Sequence, residues 1–190
     1  MATTSLELSV EKFILATNKR CKMLDYWQDV EDNALEKEVT KAVKRHLVQS
    51  GFTDVRRVPL QMIYGADGDV LIEMDGLLAA RKGDTDFLIT VESKHKVTTD
   101  KISQRAEQNQ KLEALLSQLR GSSLEAVWAT EASRQHIDCC AMLLLYAKAE
   151  VLHFVGGIHF SEADANLARK KRFSVVTREG NAFRVASCSG

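Results

Sequence analysis

The chain has 190 residues, 45% of them hydrophobic and 27% charged, which suffices to bury a core and excludes a disordered or fibrous protein. Its 26 basic residues balance 26 acidic ones, so it lacks the strongly positive composition of proteins that coat nucleic acid. With one proline and ten glycines, no Pro-rich or Gly/Ser-rich linker separates domains.

The first clear element is a helix that opens the main domain. Apolar residues recur at three- and four-residue steps from Asn33 to Ser50, and Gly51 stands at the C-cap position. We assign residues 33–190 to one domain and residues 1–32 to an N-terminal extension packed on its core.

A β-hairpin and a second helix follow. Val70–Ala79 and Phe87–Val91 have the composition of strands, and the Gly83-Asp84 pair between them is typical of a two-residue hairpin turn. Thr99–Leu119 has the periodicity of an amphipathic helix.

The rest of the chain alternates between helices and strands, so we predict an α/β fold with a mixed sheet flanked by helices on both faces. The Gly156-Gly157 pair is expected to turn the chain after the strand that precedes it. The remaining predicted elements are a strand at Leu124–Ala129, a helix at Ser133–Lys148, a strand at Val151–Phe154, a helix at Ser161–Lys171 and a terminal hairpin of Phe173–Thr177 and Phe183–Ala186.

The predicted hairpin brings two acidic side chains together. A turn at Gly83-Asp84 places Asp75 directly opposite Glu92, with their Cα atoms about 4.5–5.5 Å apart and their side chains on one face. Lys94 lies two residues after Glu92 and shares that face. Because opposed carboxylates repel, we expect a cation to compensate them.

A divalent metal ion would supply that compensation. Mg²⁺ takes one or two carboxylates together with waters and phosphate oxygens, so Asp75, Glu92 and the Ser93 carbonyl are the predicted ligands, with Mn²⁺ as a substitute. Such an ion acidifies a water and stabilises charge on a phosphoryl group, and Lys94 is placed to assist. The alternative is an ordinary ion pair between Glu92 and Lys94 or Lys96 at a solvated strand end.

Asp75, followed by the hydrophobic-flanked segment 91–94 with Glu92 and Lys94, resembles the D…(D/E)xK signature of the PD-(D/E)XK nuclease superfamily. Segments 73–76 and 91–95 are also similar to nuclease-like domains of Crinkler-type effectors from filamentous eukaryotes. The similarity covers about residues 33–119. It implies a restriction-endonuclease-like αβββαβ core, Mg²⁺-dependent phosphodiester hydrolysis, and Asp75, Glu92 and Lys94 as the catalytic set.

The resemblance further implies an additional acid from the helix before the first strand. Glu36 and Glu38 are the candidates, and Glu38 is expected to be the better aimed because it lies beside the apolar stripe. Polar residues after the motif are candidate nucleic-acid contacts, although those on the helix also fit its solvated side. These candidates are His95, Lys96, Gln104, Gln108 and Lys111.

We therefore predict a Mg²⁺-dependent endonuclease or exonuclease that acts on DNA rather than RNA. The rival hypothesis is an inactive nuclease-like fold that binds nucleic acid or protein. We expect an intracellular protein of the cytoplasm or nucleus without membrane contact, since the start lacks a signal-peptide pattern and Cys139–Ala147 is too short to span a bilayer. The sequence does not decide whether the protein forms a homodimer. The four cysteines form no CxxC pair, which argues against a disulfide framework or a zinc site.

Overall fold

The computed structural model describes residues 34–60, 62–64, 70–120 and 143–186. The predicted extension 1–32, the strand Leu124–Ala129 and most of the helix Ser133–Lys148 lie outside these residues. The described elements are, in chain order, α1 (Ala34–Gln49), β1 (Thr53–Arg57), β2 (Met62–Tyr64), β3 (Val70–Glu73), β4 (Gly76–Lys82), β5 (Thr85–Lys96), α2 (Thr99–Leu119), β6 (Glu150–His159), α3 (Glu162–Lys170), β7 (Phe173–Glu179) and β8 (Ala182–Val185).

Six of these strands form one mixed sheet in the order β1-β4-β5-β6-β7-β8, and β2 and β3 pair in a separate two-stranded sheet. The β5, β6 and β7 strands run parallel, whereas β1, β4 and β8 are antiparallel to their neighbours. Within the large sheet and its helices, the order α1-β1-β4-β5-α2-β6 follows the predicted αβββαβ core. The α/β fold class, consistent with a restriction-endonuclease-like fold, is confirmed.

Helices cover the sheet on both faces because adjacent residues of a buried strand point to opposite sides. On β6, Phe154 packs into a cluster with Val39 of α1, whereas the next residue, Val155, joins a cluster with Ile102 of α2 and Ala168 of α3. The predicted apolar stripe of α1 is the part of that helix that is buried. No helix among the described ranges is both long and apolar enough to cross a membrane.

The β4–β5 hairpin has the predicted register. Lys82 pairs with Thr85 across the two-residue turn, and Gly76 pairs with Val91 at the far end of the ladder. Gly83 has a φ of 59°, a left-handed conformation that glycine adopts without a Cβ clash. This register continues to Asp75 and Glu92, the next residues beyond the last pair.

The prediction of a single strand at Val70–Ala79 is wrong, because the chain passes from one sheet to the other within this segment. β3 pairs with β2 in the small sheet, and β4 pairs with β1 and β5 in the large one. Met74 and Asp75 lie between the two strands, with Asp75 in a bend. A run of apolar residues indicates burial but does not reveal a change of pairing partner. Asp75 is therefore delivered from a break between two sheets.

The turn expected at Gly156-Gly157 is also wrong, since both glycines lie inside β6. A Cβ on Gly156 would lie 2.4 Å from Cγ1 of Val39, and one on Gly157 would lie 2.6 Å from the backbone oxygen of Lys94. Here glycine permits close packing rather than a turn. The helix α3 and the terminal β7–β8 hairpin occur where they were predicted, and the Ser161 side chain caps α3 by accepting from the Asp164 N–H.

Candidate active site

Asp75, Glu92 and Lys94 meet at the end of the β4–β5 hairpin. The Lys94 Nζ lies 2.6 Å from Oε1 of Glu92 and 3.1 Å from Oδ2 of Asp75, so one ammonium contacts both carboxylates. The side chains are 13% exposed for Glu92, 15% for Asp75 and 34% for Lys94. The convergence expected from the hairpin register is present in the structure.

The Asp75 carboxylate takes the place of a backbone acceptor where the β4–β5 ladder ends. Its Oδ2 accepts from the Ser93 backbone N–H at 2.8 Å and lies 3.3 Å from the Ser93 hydroxyl. The last ladder pair is Gly76 with Val91, so the Ser93 N–H lies beyond the reach of β4 itself. These bonds hold Asp75 against β5, although Asp75 itself lies between β3 and β4 and belongs to neither of them. Ser93 thus positions Asp75 through its N–H, and the use of its carbonyl as a metal ligand stays a prediction.

A buried arginine, Arg105 of α2, faces the second oxygen of Glu92. Its Nη1 lies 3.6 Å from Glu92 Oε2 and also donates to the Glu73 backbone carbonyl and, at 2.8 Å, to Gln108 Oε1. The Arg105 side chain is 3% exposed. Glu92 therefore has a cation at each oxygen, Lys94 on one side and Arg105 on the other.

These side chains line a cavity of about 180 Å³. One wall is built from the end of β3, the break before β4, and β5, and it carries the two carboxylates. The opposite wall is a face of α2 whose residues recur at three- and four-residue spacing and bear hydrogen-bond donors. The lining residues are Glu73, Asp75, Glu92, Lys94, Lys101, Gln104, Arg105 and Gln108.

Burial and charge shift the pKa values of the central groups. Burial raises the pKa of Glu92, and the nearby Asp75 carboxylate raises it further, against opposition from Arg105 and Lys94. Burial lowers the pKa of Lys94, but Glu92 and Asp75 outweigh this effect and the net shift is upward. The lysine is thus held charged, whereas the ionised form of Glu92 is disfavoured relative to water.

Of the two glutamates of α1, the structure places Glu36 near the site. Burial raises the pKa of Glu36, followed by the charges of Asp75 and Glu92, so its carboxylate is electrostatically coupled to theirs. Glu38 is exposed and bonds to Lys41 Nζ at 2.8 Å. The expectation that Glu38 is the better aimed is not met, because Glu38 pairs with Lys41 in solvent and Glu36 is the glutamate whose charge couples to Asp75 and Glu92.

The candidate nucleic-acid contacts divide into two groups. Gln104 and Gln108 line the cavity, whereas Lys111 is exposed and outside its lining. His95 and Lys96 are exposed at the end of β5, also outside the lining. Sequence reasoning names neither Lys101 nor Arg105 as a site residue and assigns both to the solvated side of the helix, which is wrong for the buried Arg105. For Arg105 a signal existed: it lies within the helical spacing of buried Ile102 and Leu112, and a cation in an apolar stripe marks a buried polar site.

The carboxylates of the site determine how a divalent ion could be held. Among the described residues, no group of three or more His, Cys, Asp or Glu side chains is arranged to hold a metal. The site offers two carboxylates, which is the number that Mg²⁺ takes from protein when waters and substrate phosphates complete its shell. The residues therefore fit Mg²⁺ bound together with a phosphate, and they do not form a cage for a metal bound by protein alone.

No protein-family model matches the chain, and no curated protein matches it. Among solved structures, it is similar to the crystal structure of an XisH family protein from Nostoc punctiforme, at 12% sequence identity and a TM-score of 0.29. That similarity covers 77% of this chain and 91% of the other.

Proposed function

We propose that the protein is a Mg²⁺-dependent nuclease that hydrolyses phosphodiester bonds, with DNA rather than RNA as substrate. The observation that carries the proposal is the contact of Lys94 with Asp75 and Glu92 at the wall of a cavity. Paired carboxylates can hold a divalent ion, and an adjacent ammonium can position the attacking water or offset charge on the phosphate. The choice of DNA comes from the resemblance to PD-(D/E)XK nucleases.

In this proposal Asp75 and Glu92 hold the metal ion, with the Ser93 carbonyl as a further ligand and Mn²⁺ able to substitute. A bound divalent ion acidifies a water and stabilises negative charge on the phosphoryl oxygens. Lys94 orients the attacking water and offsets charge on the phosphate. Glu36, which is coupled to both carboxylates, acts as the additional acid.

The opposite wall of the cavity supports a phosphate backbone as ligand. Lys101, Gln104 and Gln108 bring an ammonium and two amide groups to the same space as the carboxylates. Such side chains bind phosphate oxygens and fix the orientation of the substrate without reading its sequence. Because the net charge of the chain is zero, binding of a phosphate backbone requires a positive potential only at this cavity.

A second candidate, a binding module without turnover, is favoured by one specific feature. Lys94 and Arg105 already balance the charges of Asp75 and Glu92, so the cluster is neutral as it stands. The chain itself therefore supplies the positive charge that compensates the repulsion between the two carboxylates. Such a module would bind nucleic acid or protein at this face, and binding to nucleic acid would be salt-sensitive.

A cleavage assay separates the two. Supercoiled plasmid, linear duplex DNA, single-stranded DNA and RNA are incubated with Mg²⁺ or Mn²⁺ and wild-type protein, D75N or E92Q. The matched control is D86N, which removes an exposed aspartate paired with Arg81 on the same hairpin. We expect wild type and D86N to cleave DNA and both site variants to be inactive. Undiminished cleavage by D75N and E92Q would refute the proposal, and salt-sensitive binding without turnover would favour the binding module.

A further inference from the structure

Arg105 is a buried charge that uses only one of its three guanidinium nitrogens to bind partners in the described part of the chain. Its Nε and Nη2 are buried and have no hydrogen-bond partner among the described residues, while Nη1 alone faces three acceptors. Buried arginines that serve stability alone are expected to use the whole guanidinium fork, because each unpaired buried donor costs free energy. Burial also lowers the pKa of Arg105, against the opposing effect of Glu92 and Asp75.

The partners of Nη1 lie on two different strands of the site. One is the Glu73 backbone carbonyl, at the end of β3 and two residues before Asp75. Another is Oε2 of Glu92 on β5. β3 and β5 belong to different sheets, so backbone pairing does not fix the distance between them. One guanidinium on α2 thus contacts the segment ahead of one carboxylate and the other carboxylate directly.

We propose that Arg105 is a positioning residue that sets the separation of the Asp75 and Glu92 carboxylates by binding Glu92 and the backbone ahead of Asp75. The inference rests on the proposed function for its purpose, since the separation matters when both groups bind one cation. The contacts it describes are made by side chains and backbone of the chain itself. They can therefore be measured without activity.

The Ser93 amide is a direct reporter of that geometry. Its N–H donates to Asp75 Oδ2, so its hydrogen exchange is slow only while Asp75 keeps its place. Ile89, four residues earlier on β5, is fully buried and pairs with Leu78 and Leu152 in the middle of the sheet. Its amide reports the opening of the sheet as a whole. Comparing these two amides separates a local shift of Asp75 from general destabilisation.

The experiment measures amide exchange by NMR in the metal-free full chain for wild type, R105Q, R105K and R45Q. Arg45 is an exposed arginine on α1 and supplies the same substitution away from the site. We expect R105Q to lose at least tenfold protection at Ser93 and none at Ile89. R105K, which can reach one partner but not both, should be intermediate, and R45Q should match wild type.

The second readout is the affinity for Mn²⁺ in the absence of nucleic acid, followed by electron paramagnetic resonance. Loss of the Arg105 charge would by itself strengthen Mn²⁺ binding at Glu92, so weaker binding in R105Q reports the loss of the carboxylate geometry. We expect R105Q to bind Mn²⁺ at least tenfold more weakly than wild type, with partial recovery in R105K, and tighter binding by R105Q would overturn the inference. Unchanged Ser93 protection in R105Q overturns the inference, and so does equal loss at Ser93 and Ile89 in both variants. If wild type binds no Mn²⁺ or cleaves nothing, the proposed function fails, while Ser93 protection still decides the role of Arg105.

Discussion

The Lys94 ammonium lies 2.6 Å from Oε1 of Glu92, two residues away on the same face of β5, and reaches Asp75 at 3.1 Å from the same position. A cation that binds both carboxylates must therefore compete with this ammonium. The same lysine is proposed to act on the substrate, so cation binding and the release of Lys94 from the carboxylates are linked events. This relationship leads to the first prediction.

Replacing Lys94 with methionine should strengthen Mn²⁺ binding while abolishing cleavage. The variant removes a positive charge that competes for both carboxylates and at the same time removes the group that assists hydrolysis. We expect the Mn²⁺ dissociation constant to fall by roughly tenfold, the effect of about 1.4 kcal/mol. K41M, in which the lost ammonium pairs with exposed Glu38, is the control and should bind Mn²⁺ as wild type does. Weaker binding in K94M would contradict the competition.

Replacing Glu92 with glutamine should stabilise the fold at neutral pH and not in acid. Since burial, and then Asp75, raise the pKa of Glu92 above 4.5 in the folded protein, ionising it costs stability as pH rises through the folded pKa. E92Q cannot ionise and avoids this loss. At pH values below 4.5, Glu92 is increasingly protonated in both states and the difference should vanish.

The measurement is the melting temperature of wild type and E92Q at pH 7.5 and at acid pH. A change of 1 kcal/mol corresponds to about 2–4 °C for a domain of this size. D86N is the opposing control, because Arg81 lowers the pKa of Asp86 and its removal should not raise the melting temperature. A lower melting temperature for E92Q at pH 7.5 would show that its ion pairs dominate instead.

Glu36 and Glu38 offer a matched pair on one helix. E36Q should weaken Mn²⁺ binding and slow DNA cleavage, since Glu36 is coupled to Asp75 and Glu92, whereas E38Q should leave both unchanged. We expect an effect of roughly three- to tenfold on Mn²⁺ affinity, corresponding to about 0.7–1.4 kcal/mol. Titrating Mn²⁺ into each purified variant measures it. An effect of E38Q as large as that of E36Q would contradict the placement.

The contact of Gly156 with Val39 predicts a non-additive pair. A Cβ on Gly156 would lie 2.4 Å from Cγ1 of Val39, so G156A should destabilise the domain by about 1–3 kcal/mol through overpacking. V39A removes that methyl group, and the double variant should lose less stability than the sum of the two single changes. Urea unfolding of all four proteins completes the cycle. Strict additivity would mean that α1 moves away without cost.

The central triad could be predicted because its geometry is encoded locally. A two-residue turn at Gly83-Asp84 fixes the register of the hairpin, and the register fixes which residues lie opposite each other. Counting from the turn gives Glu92 and Lys94 on β5, and extending the register one residue beyond β4 gives Asp75.

The remaining parts of the site depend on packing between distant elements. The side of α1 that faces the hairpin end depends on its rotation against the sheet, so the sequence does not reveal that Glu36, rather than Glu38, is coupled to Asp75 and Glu92. The break at Met74 is hard to predict, because buried apolar residues such as Ile72 and Leu77 continue the strand pattern on both sides of it. The periodicity of α2 puts Arg105 in its apolar stripe, but it does not specify that Arg105 contacts Glu73 and Glu92, because that requires α2 to lie over the junction of two sheets.

The position of Asp75 in a bend between two sheets limits how this chemistry could be transplanted. A designer who moved the β4–β5 hairpin onto another scaffold would carry Glu92 and Lys94 but would leave the aspartate dependent on a connection that the hairpin does not contain. The minimal portable unit has to include β3 and the α2 turn that bears Arg105. The position of Asp75 depends on how the two sheets are joined. A shorter graft would therefore contain a lysine paired with a single carboxylate.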